Sequence, residues 1–222
     1  MAVYELVEKF VSINGEGTKA GQLALFLRFK GCNLDCSFCD TKWANEKNCP
    51  ADTVTKEQIY EMVLSEKIRN ITITGGEPLY REDMDELLKK LAEIEDIYIE
   101  IETNGSIDLK PYRNISDKIA FTMDYKLSFS GMMEKMCHGN FDILGNNDTV
   151  KFVVADRNDL DCAKDIIDKY SLAGRTHIYI SPVFGEIEPK EIVEYMAEHK
   201  MNRVNMQLQM HKYIWDPDMK GV

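Results

Sequence analysis

Residues 23–39 read LALFLRFKGCNLDCSFC, a short apolar run of strand length followed at once by three closely spaced cysteines. Cys32, Cys36 and Cys39 have the spacing C-x3-C-x2-C within one polar loop. Three thiolates from one loop can bind a single [4Fe–4S] cluster, which normally takes four cysteine ligands. One iron then has no protein ligand, and an open coordination position is typical of a catalytic metal site. The stretch therefore predicts a catalytic iron–sulfur site at the end of a strand.

Two other metal sites are compatible with these cysteines. Cys49, which precedes Pro50, could supply a fourth thiolate and close the cluster, and the chain would then be an electron carrier. Cys49 lies beyond a polar stretch, outside any tight ligand loop, and this placement favours the open cluster. A structural zinc site usually has paired C-x2-C units, and the sequence contains no second pair.

The composition is that of one globular domain with a small-molecule ligand. The chain has 222 residues, 44% hydrophobic and 29% charged, which suffices for a substantial core. No apolar run is long enough to cross a bilayer, and residues 1–5 lack a signal-peptide pattern. Six cysteines, three of them clustered, indicate metal chemistry in a reducing cytoplasm. The net charge of −11 leaves no broad positive surface for nucleic acid, so a small-molecule substrate is expected.

Strand and helix patterns alternate along the chain. After a leading strand over residues 4–11, apolar segments of strand character occupy 23–29, 71–74, 97–102, 119–124, 150–155, 176–181 and 204–208. Helical patterns occupy 56–67, 83–93, 160–170 and 190–199. Thr55 and Asn158 are the predicted N-caps of two of these helices. Such alternation predicts parallel strands joined by right-handed crossovers.

Polar or glycine-bearing segments follow five of these strands directly. They are residues 32–39, 74–78, 102–105, 124–126 and 181–184. The carboxyl ends of the strands are where a β/α barrel assembles its active site. The predicted fold class is therefore α/β, an incomplete TIM-type β/α barrel of about six parallel strands. One domain is expected over residues 1–222, with an N-terminal strand and turn (1–17), the barrel (20–210) and a C-terminal tail (211–222) over the active site.

Thr74-Gly-Gly-Glu-Pro78 is the second strong signal. Adjacent glycines allow a backbone to come close to a ligand, and proline restricts the chain just after them. Glu77 can accept a hydrogen bond from a ligand amine. Together with the cysteine spacing and Phe38, this segment resembles the radical S-adenosylmethionine (SAM) enzymes. The resemblance implies that the SAM amine and carboxylate bind the open iron. It also implies that an electron from the cluster cleaves SAM to a radical that abstracts a substrate hydrogen.

A narrower resemblance covers nearly the whole chain. Residues 12–17, Arg28, and residues 39–41, 124–126 and 209–215 resemble the 7-carboxy-7-deazaguanine synthase family. This implies a lyase of the queuosine (7-deazapurine) pathway, which serves tRNA modification. The reaction contracts 6-carboxy-5,6,7,8-tetrahydropterin to 7-carboxy-7-deazaguanine with loss of ammonia. The implied cofactors are a [4Fe–4S] cluster, SAM and Mg2+, and the implied partners are an electron donor such as flavodoxin or ferredoxin and a second copy of the chain.

The resemblance also assigns site residues. The implied SAM-binding residues are Phe38, Cys39, Asp40, Gly76, Glu77, Asp124, Tyr125, Lys126, Ser181, Pro182, Val183 and Phe184. The implied substrate contacts are Ile13, Asn14, Gly15, Glu16, Arg28, Thr74, His211 and Val222. Thr41 is the implied Mg2+ contact, which suits a metal that takes few protein oxygens.

Two of these assignments have a physical reason of their own. The Glu16 carboxylate suits the amidine-like edge of a pterin, because it accepts paired N–H donors. Arg28 interrupts an apolar strand, and a buried arginine is costly unless it is paired, so we expect it to face the barrel mouth and bind the substrate carboxylate. A glycyl-radical enzyme activase and a closed-cluster electron carrier remain the alternative functions.

Overall fold

The strands form a single open sheet in this computed structural model, which describes residues 2–216 and 219–221. The strands are β1 Val3–Ile13, β2 Leu23–Phe29, β3 Asp52–Thr55, β4 Asn70–Gly75, β5 Tyr98–Thr103, β6 Ile119–Tyr125, β7 Thr149–Val154, β8 His177–Pro182 and β9 Asn205–Met206. Their order across the sheet is β3-β1-β2-β4-β5-β6-β7-β8-β9. Strands β3 and β9 form the two edges, so the barrel is incomplete, as predicted.

The strands from β2 onward along the sheet are parallel. β2 pairs with β4, and each later strand pairs in parallel with the next one up to β9, which has two residues. β1 runs antiparallel to both β2 and β3. The sequence did not predict β3, since its four residues are mostly polar and it pairs with the amino-terminal part of β1 at one edge of the sheet. Its pairing is therefore visible only in the folded chain.

Seven helices accompany the strands in the part of the chain that the structure describes. They are α1 Lys42–Asn45, α2 Lys56–Glu66, α3 Met84–Ala92, α4 Lys110–Arg113, α5 Arg157–Lys169, α6 Pro189–Glu198 and α7 His211–Ile214. Of these, α2, α3, α5 and α6 contribute buried apolar residues to the core on one face of the sheet. Short 3-10 turns cover Gly17–Lys19, Pro78–Tyr80, Ser128–Ser130, Met133–Lys135 and His138–Asp142. Among the described residues, no helix combines the length and apolar character that a membrane span needs.

One of the two predicted helix caps is confirmed and the other is wrong. The Thr55 side chain accepts from the Gln58 N–H, and the Gln58 side chain accepts from the Thr55 N–H, which makes a complete capping box for α2. Asn158 is not the N-cap of α5. Asp156 is, because its carboxylate accepts from the Asp159 N–H and places Asn158 inside the first turn.

The two faces of the sheet have opposite chemistry. On the helix-facing side, alternate strand residues are buried and apolar, for example Ile71 and Ile73 in β4 and Ile99 and Ile101 in β5. The residues between them point to the other side because strand side chains alternate. We call this second side the inner face. Its residues in the middle strands are Thr72, Thr74, Glu100, Glu102, Thr122, Asp124, Thr149 and Lys151. The sheet therefore carries a polar lining inside an apolar shell.

Candidate active site at the carboxyl ends of the strands

The three clustered cysteines lie in the loop that follows β2. The Leu34 N–H and the Asn104 amide donate to the Cys32 sulfur at 3.4 and 3.6 Å, and the Cys39 N–H donates to the Cys36 carbonyl at 3.3 Å. Burial raises the pKa of Cys32, and it raises the pKa of Cys36 to about 11. All six cysteines are free. The loop therefore offers three unmodified thiols to one ligand.

The thiols are grouped but not yet arranged as a ligand set. In the part of the chain that the structure describes, no group of three or more His, Cys, Asp or Glu side chains is placed to hold a metal ion. The donors nevertheless fit an iron–sulfur cluster chemically, since thiolates are its usual protein ligands. The Thr41 hydroxyl lies 3.6 Å from the Cys39 sulfur and, although Thr41 is the N-cap of α1, it makes no capping bond. The role of Thr41 as a Mg2+ contact remains a prediction.

The glycine pair after β4 packs against the cysteine loop. A Cβ on Gly76 would lie 2.4 Å from the Gly31 carbonyl oxygen and 2.6 Å from Cys32 Cβ. The Glu77 N–H donates to the same Gly31 oxygen at 2.9 Å. The glycines were expected to allow the close approach of a ligand. In the structure they allow the approach of the cysteine loop itself, and contact between Gly76 and SAM remains a prediction.

Glu77 connects the loops after β4 and β5. Its side chain is 1% exposed and accepts from the Leu79 N–H at 2.9 Å, the Thr103 hydroxyl at 2.9 Å and the Asn104 N–H at 2.6 Å. Burial raises its pKa to about 7. Both oxygens are thus engaged by the chain, and a hydrogen bond to a ligand amine remains a prediction. Because Asn104 also contacts Cys32, Glu77 supports the cysteine loop indirectly.

A hydrogen-bonded group on the inner face holds the turn after β1. The Thr72 hydroxyl donates to the Asn14 amide oxygen at 2.8 Å, and the Asn14 amide donates to Glu100 at 3.2 Å. The Thr122 hydroxyl also donates to Glu100. Burial, followed by the charge of Glu102, raises the pKa of Glu100 to about 7. The predicted substrate contact Asn14 is therefore 2% exposed and already bonded within the chain.

Arg28 lies on the inner face, as expected, but it already has a protein partner. Its Nε donates to Glu8 at 2.9 Å across the β1–β2 ladder, and both side chains are largely buried. The register places Arg28 beside Thr74 of β4, whose side chain hydrogen-bonds Glu102. The ion pair with Glu8 compensates the cost of burying the Arg28 charge, which was the reason for predicting a substrate carboxylate as its partner. Binding of the substrate carboxylate by Arg28 remains a prediction.

Charged side chains connect the turn after β1 to the end of β6. The Lys151 ammonium contacts the Glu16 carboxylate and lies 3.9 Å from Asp124, which in turn pairs with Lys126 at 2.9 Å. Lys126 also lies over the Phe38 ring, 5.7 Å from its centroid. The structure therefore brings Glu16, predicted to bind substrate, close to residues predicted to bind SAM.

Several predicted SAM contacts form one wall near the cysteine loop. Phe38 packs against the buried group of Val153, Ala155 and Val183. Two polar atoms at the same strand ends, Ser181 Oγ and Asp124 Oδ1, are buried and have no hydrogen-bond partner among the residues that the structure describes. Buried polar atoms are normally paired, so both atoms can take a partner from a bound molecule, and their contacts to SAM remain predictions.

Other predicted contacts lie apart from this wall. Tyr125 is 2% exposed on the helix-facing side of β6, where its hydroxyl lies 3.0 Å from His138 Nε2. Pro182 ends β8 in register with Val154, whereas Asp40 and Phe184 are exposed. The contacts of these residues to SAM remain predictions.

The C-terminal segment approaches the turn after β1 and helix α1. The His211 ring is 3.3 Å from the position of a Cβ on Gly15, so two predicted substrate contacts are adjacent, and Ile13 immediately precedes their turn at the end of β1. Burial lowers the pKa of His211. Lys220 lies 3.9 Å from the centroid of the Trp43 ring. The predicted contact Val222 lies outside the described residues.

The sequence analysis missed several residues of this site. Lys151 and Glu100 are on the inner face, and Glu8 pairs with Arg28. The signal was present: residues 71–74 and 99–102 alternate isoleucine with threonine or glutamate. Such period-two alternation in interior strands predicts a polar face. Lys151, inside an apolar strand, met the same criterion that singled out Arg28.

Comparisons with known proteins agree with this geometry. Residues 27–124 match the Radical SAM superfamily. The chain is 49% identical over 219 residues to 7-carboxy-7-deazaguanine synthase of Clostridium acetobutylicum, covering 99% of each chain. It is 35% identical over 224 residues to the enzyme of that name from Chlorobaculum tepidum, covering 100% of this chain and 98% of that one.

This chain belongs to the 7-carboxy-7-deazaguanine synthase family. The fold agrees as well: the crystal structure of QueE from Escherichia coli superimposes with a TM-score of 0.74 at 18% identity, covering 94% of this chain and 95% of that one. The full-length relatives favour the synthase over the activase and the electron carrier, the two alternatives that the sequence left open.

Proposed function

We propose that this protein converts 6-carboxy-5,6,7,8-tetrahydropterin to 7-carboxy-7-deazaguanine and ammonia, as a radical SAM lyase. The observation that carries the proposal is the position of the cysteine loop. Three free thiols lie at the same edge of the sheet as the charged inner face, within a chain that matches synthases over its full length. A loop for an iron–sulfur cluster beside a polar pocket suits radical chemistry on a small polar molecule.

Cys32, Cys36 and Cys39 would hold the [4Fe–4S] cluster, and the Gly75–Gly76 turn supports their loop by packing against Gly31. When bound, the cluster supplies the electron that cleaves SAM reductively. The other residues bind and orient. Phe38 and Val183 offer an apolar wall, while the unpaired Ser181 Oγ and Asp124 Oδ1 are placed for polar groups of SAM.

The pterin is proposed to lie against the turn after β1. Glu16 would accept from the N–H groups of its amidine-like edge, and Arg28 would bind its carboxylate after exchanging part of its contact with Glu8. Thr74 and His211 would complete the contacts. Mg2+ is proposed at the Thr41 hydroxyl, with substrate oxygens and water as its other ligands.

Three further properties belong to the same proposal. The resemblance implies an external reductant, such as flavodoxin or ferredoxin, and assembly as a homodimer. Six cysteines without a disulfide support a location in the reducing cytoplasm.

The test is turnover under anaerobic conditions. Reconstituted and reduced protein, supplied with SAM, Mg2+ and the carboxytetrahydropterin, is expected to form the deazaguanine product, detected by mass spectrometry. Cys36→Ser should abolish both iron binding and product formation. Cys137→Ser is the matched control, because Cys137 is a free thiol outside the cluster loop, and it should retain both. Iron-loaded wild-type protein that forms no product would reject the proposal.

A further inference from the structure

Lys151 is a buried cation in the middle of an otherwise apolar strand. It is 6% exposed within β7, and its ammonium contacts the Glu16 carboxylate and lies 3.9 Å from Asp124. Burial by itself lowers its pKa, but the charges of Glu16 and Asp124 outweigh that effect and the pKa is raised. Lys151 is therefore a permanent positive charge at neutral pH.

Glu16 needs such a charge, because other carboxylates surround it. Burial raises the pKa of Glu102, and the charge of Glu16 raises it further, while Lys151 acts in the opposite direction. The charge of Glu16 also raises the pKa of Glu100. Without a cation, mutual repulsion would drive the Glu16 carboxylate away from the inner face.

The contact also leaves part of Glu16 available. Lys151 approaches Oε2, and Oε1 can accept from a donor on a ligand. The Glu16 side chain is 15% exposed, which is accessible enough to meet a ligand while its position is held. The next residue is fixed independently, since the Gly17 N–H donates to the Gln207 side chain at 2.8 Å. Lys151 therefore determines the position of the Glu16 carboxylate rather than that of the whole turn.

We propose that Lys151 is a positioning residue whose ammonium holds the Glu16 carboxylate in place to bind the N–H edge of the pterin. The inference rests on the proposed function, because it takes the pterin as the ligand of Glu16. Lys151 itself need not touch the substrate, since its ammonium is used by Glu16. The role differs from that of Lys126, which pairs with Asp124 near the proposed SAM wall.

The experiment is a double-mutant cycle on pterin affinity. The dissociation constant of 6-carboxy-5,6,7,8-tetrahydropterin is measured by anaerobic calorimetry on reconstituted protein with SAM present, for wild type, Lys151→Met, Glu16→Gln and the double variant. Each single variant is expected to weaken binding between about tenfold and a hundredfold. Because both substitutions remove the same interaction, the double variant should bind the pterin no more weakly than the single variant with the lower affinity.

Lys118→Met is the matched control for the loss of a half-buried, hydrogen-bonded lysine. Its ammonium donates to the Ala92 and Ile94 carbonyls at 2.8 and 2.6 Å, outside the proposed site. It should lower the stability of the protein without changing pterin affinity. If Lys151→Met alone fails to fold, Glu16→Gln and the double variant still decide the question. Neither Glu16→Gln nor the double variant has a carboxylate at residue 16 for Lys151 to position, so the dissociation constants of these two variants should be equal.

Two results would overturn the inference while leaving the proposed function intact. One is a Lys151→Met variant that binds the pterin as tightly as wild type. The other is a double variant whose loss is the product of the two single losses, which would mean that Lys151 acts independently of Glu16. Wild-type protein that is iron-loaded but binds no pterin would instead reject the proposed function, and the inference would fall with it.

Discussion

Replacing Gly76 by alanine is expected to displace the cysteine loop and to reduce both stability and iron binding. The new Cβ would lie 2.4 Å from the Gly31 carbonyl oxygen, about 1 Å short of ordinary van der Waals contact at 3.4 Å. It would also lie 2.2 Å from the Asn45 amide oxygen, but that side chain can rotate away. Gly31 can move only by breaking its 2.9 Å hydrogen bond with the Glu77 N–H and by shifting Cys32.

The magnitude follows from these two effects. Overpacking of a tight site costs about 1–3 kcal/mol, and a buried hydrogen bond contributes about 1 kcal/mol. The free energy of unfolding should therefore fall by roughly 2–4 kcal/mol, measured by urea denaturation. Iron per chain after anaerobic reconstitution should fall as well, because the loop that carries the thiols has moved.

Gly139→Ala is the control for this variant. A Cβ built on Gly139 meets no atom within 4 Å, so its stability should stay within about 0.5 kcal/mol of wild type and its iron content should be unchanged. A Gly76→Ala protein with wild-type stability and a full complement of iron would refute the reasoning, since the close approach of the two loops would then be unnecessary.

Three further variants test other parts of the structure. Glu100→Gln removes a carboxyl group whose pKa is raised to about 7 in the folded protein. The folded wild type binds the proton of this carboxyl group more tightly than the unfolded chain does, so the wild type loses stability as the pH rises, whereas the glutamine at this position does not titrate and causes no such loss. The unfolding free energy of the variant relative to wild type should therefore rise by about 2–3 kcal/mol from pH 5 to pH 8, and an unchanged difference would contradict the shift. Cys49→Ser should retain full iron content, because the Cys49 sulfur lies 3.5 Å from the Pro50 carbonyl rather than in the cluster loop; loss of the cluster would revive the electron-carrier alternative. Asn140→Ala should lower the unfolding free energy by about 3 kcal/mol in urea denaturation, because its buried side chain makes three hydrogen bonds to the backbone of residues 105–109, and a loss below about 1 kcal/mol would show that these bonds are dispensable.

The local pattern of the sequence determined the elements and the edge at which the site lies. Short apolar runs separated by helical patterns predicted β2 and β4 to β9 within a few residues of their observed limits. Parallel strands place their carboxyl ends together, so the cysteine loop and residues 74–78 had to meet. The Thr55 cap of α2 could also be predicted from the sequence, because a capping box depends on residues three positions apart.

Only the tertiary structure decided which partner each polar side chain takes. Glu16 and Lys151 are 135 positions apart in sequence, and Asn14 and Glu100 are 86 apart. No local pattern encodes such pairs, because they depend on the strand order and on the register between strands. The same reason explains why Arg28 was placed on the correct face without its partner Glu8, and why the Gly75–Gly76 turn approaches the cysteine loop. Side-chain alternation along a strand is a local property, whereas the contact across the inner face exists only once the sheet has assembled.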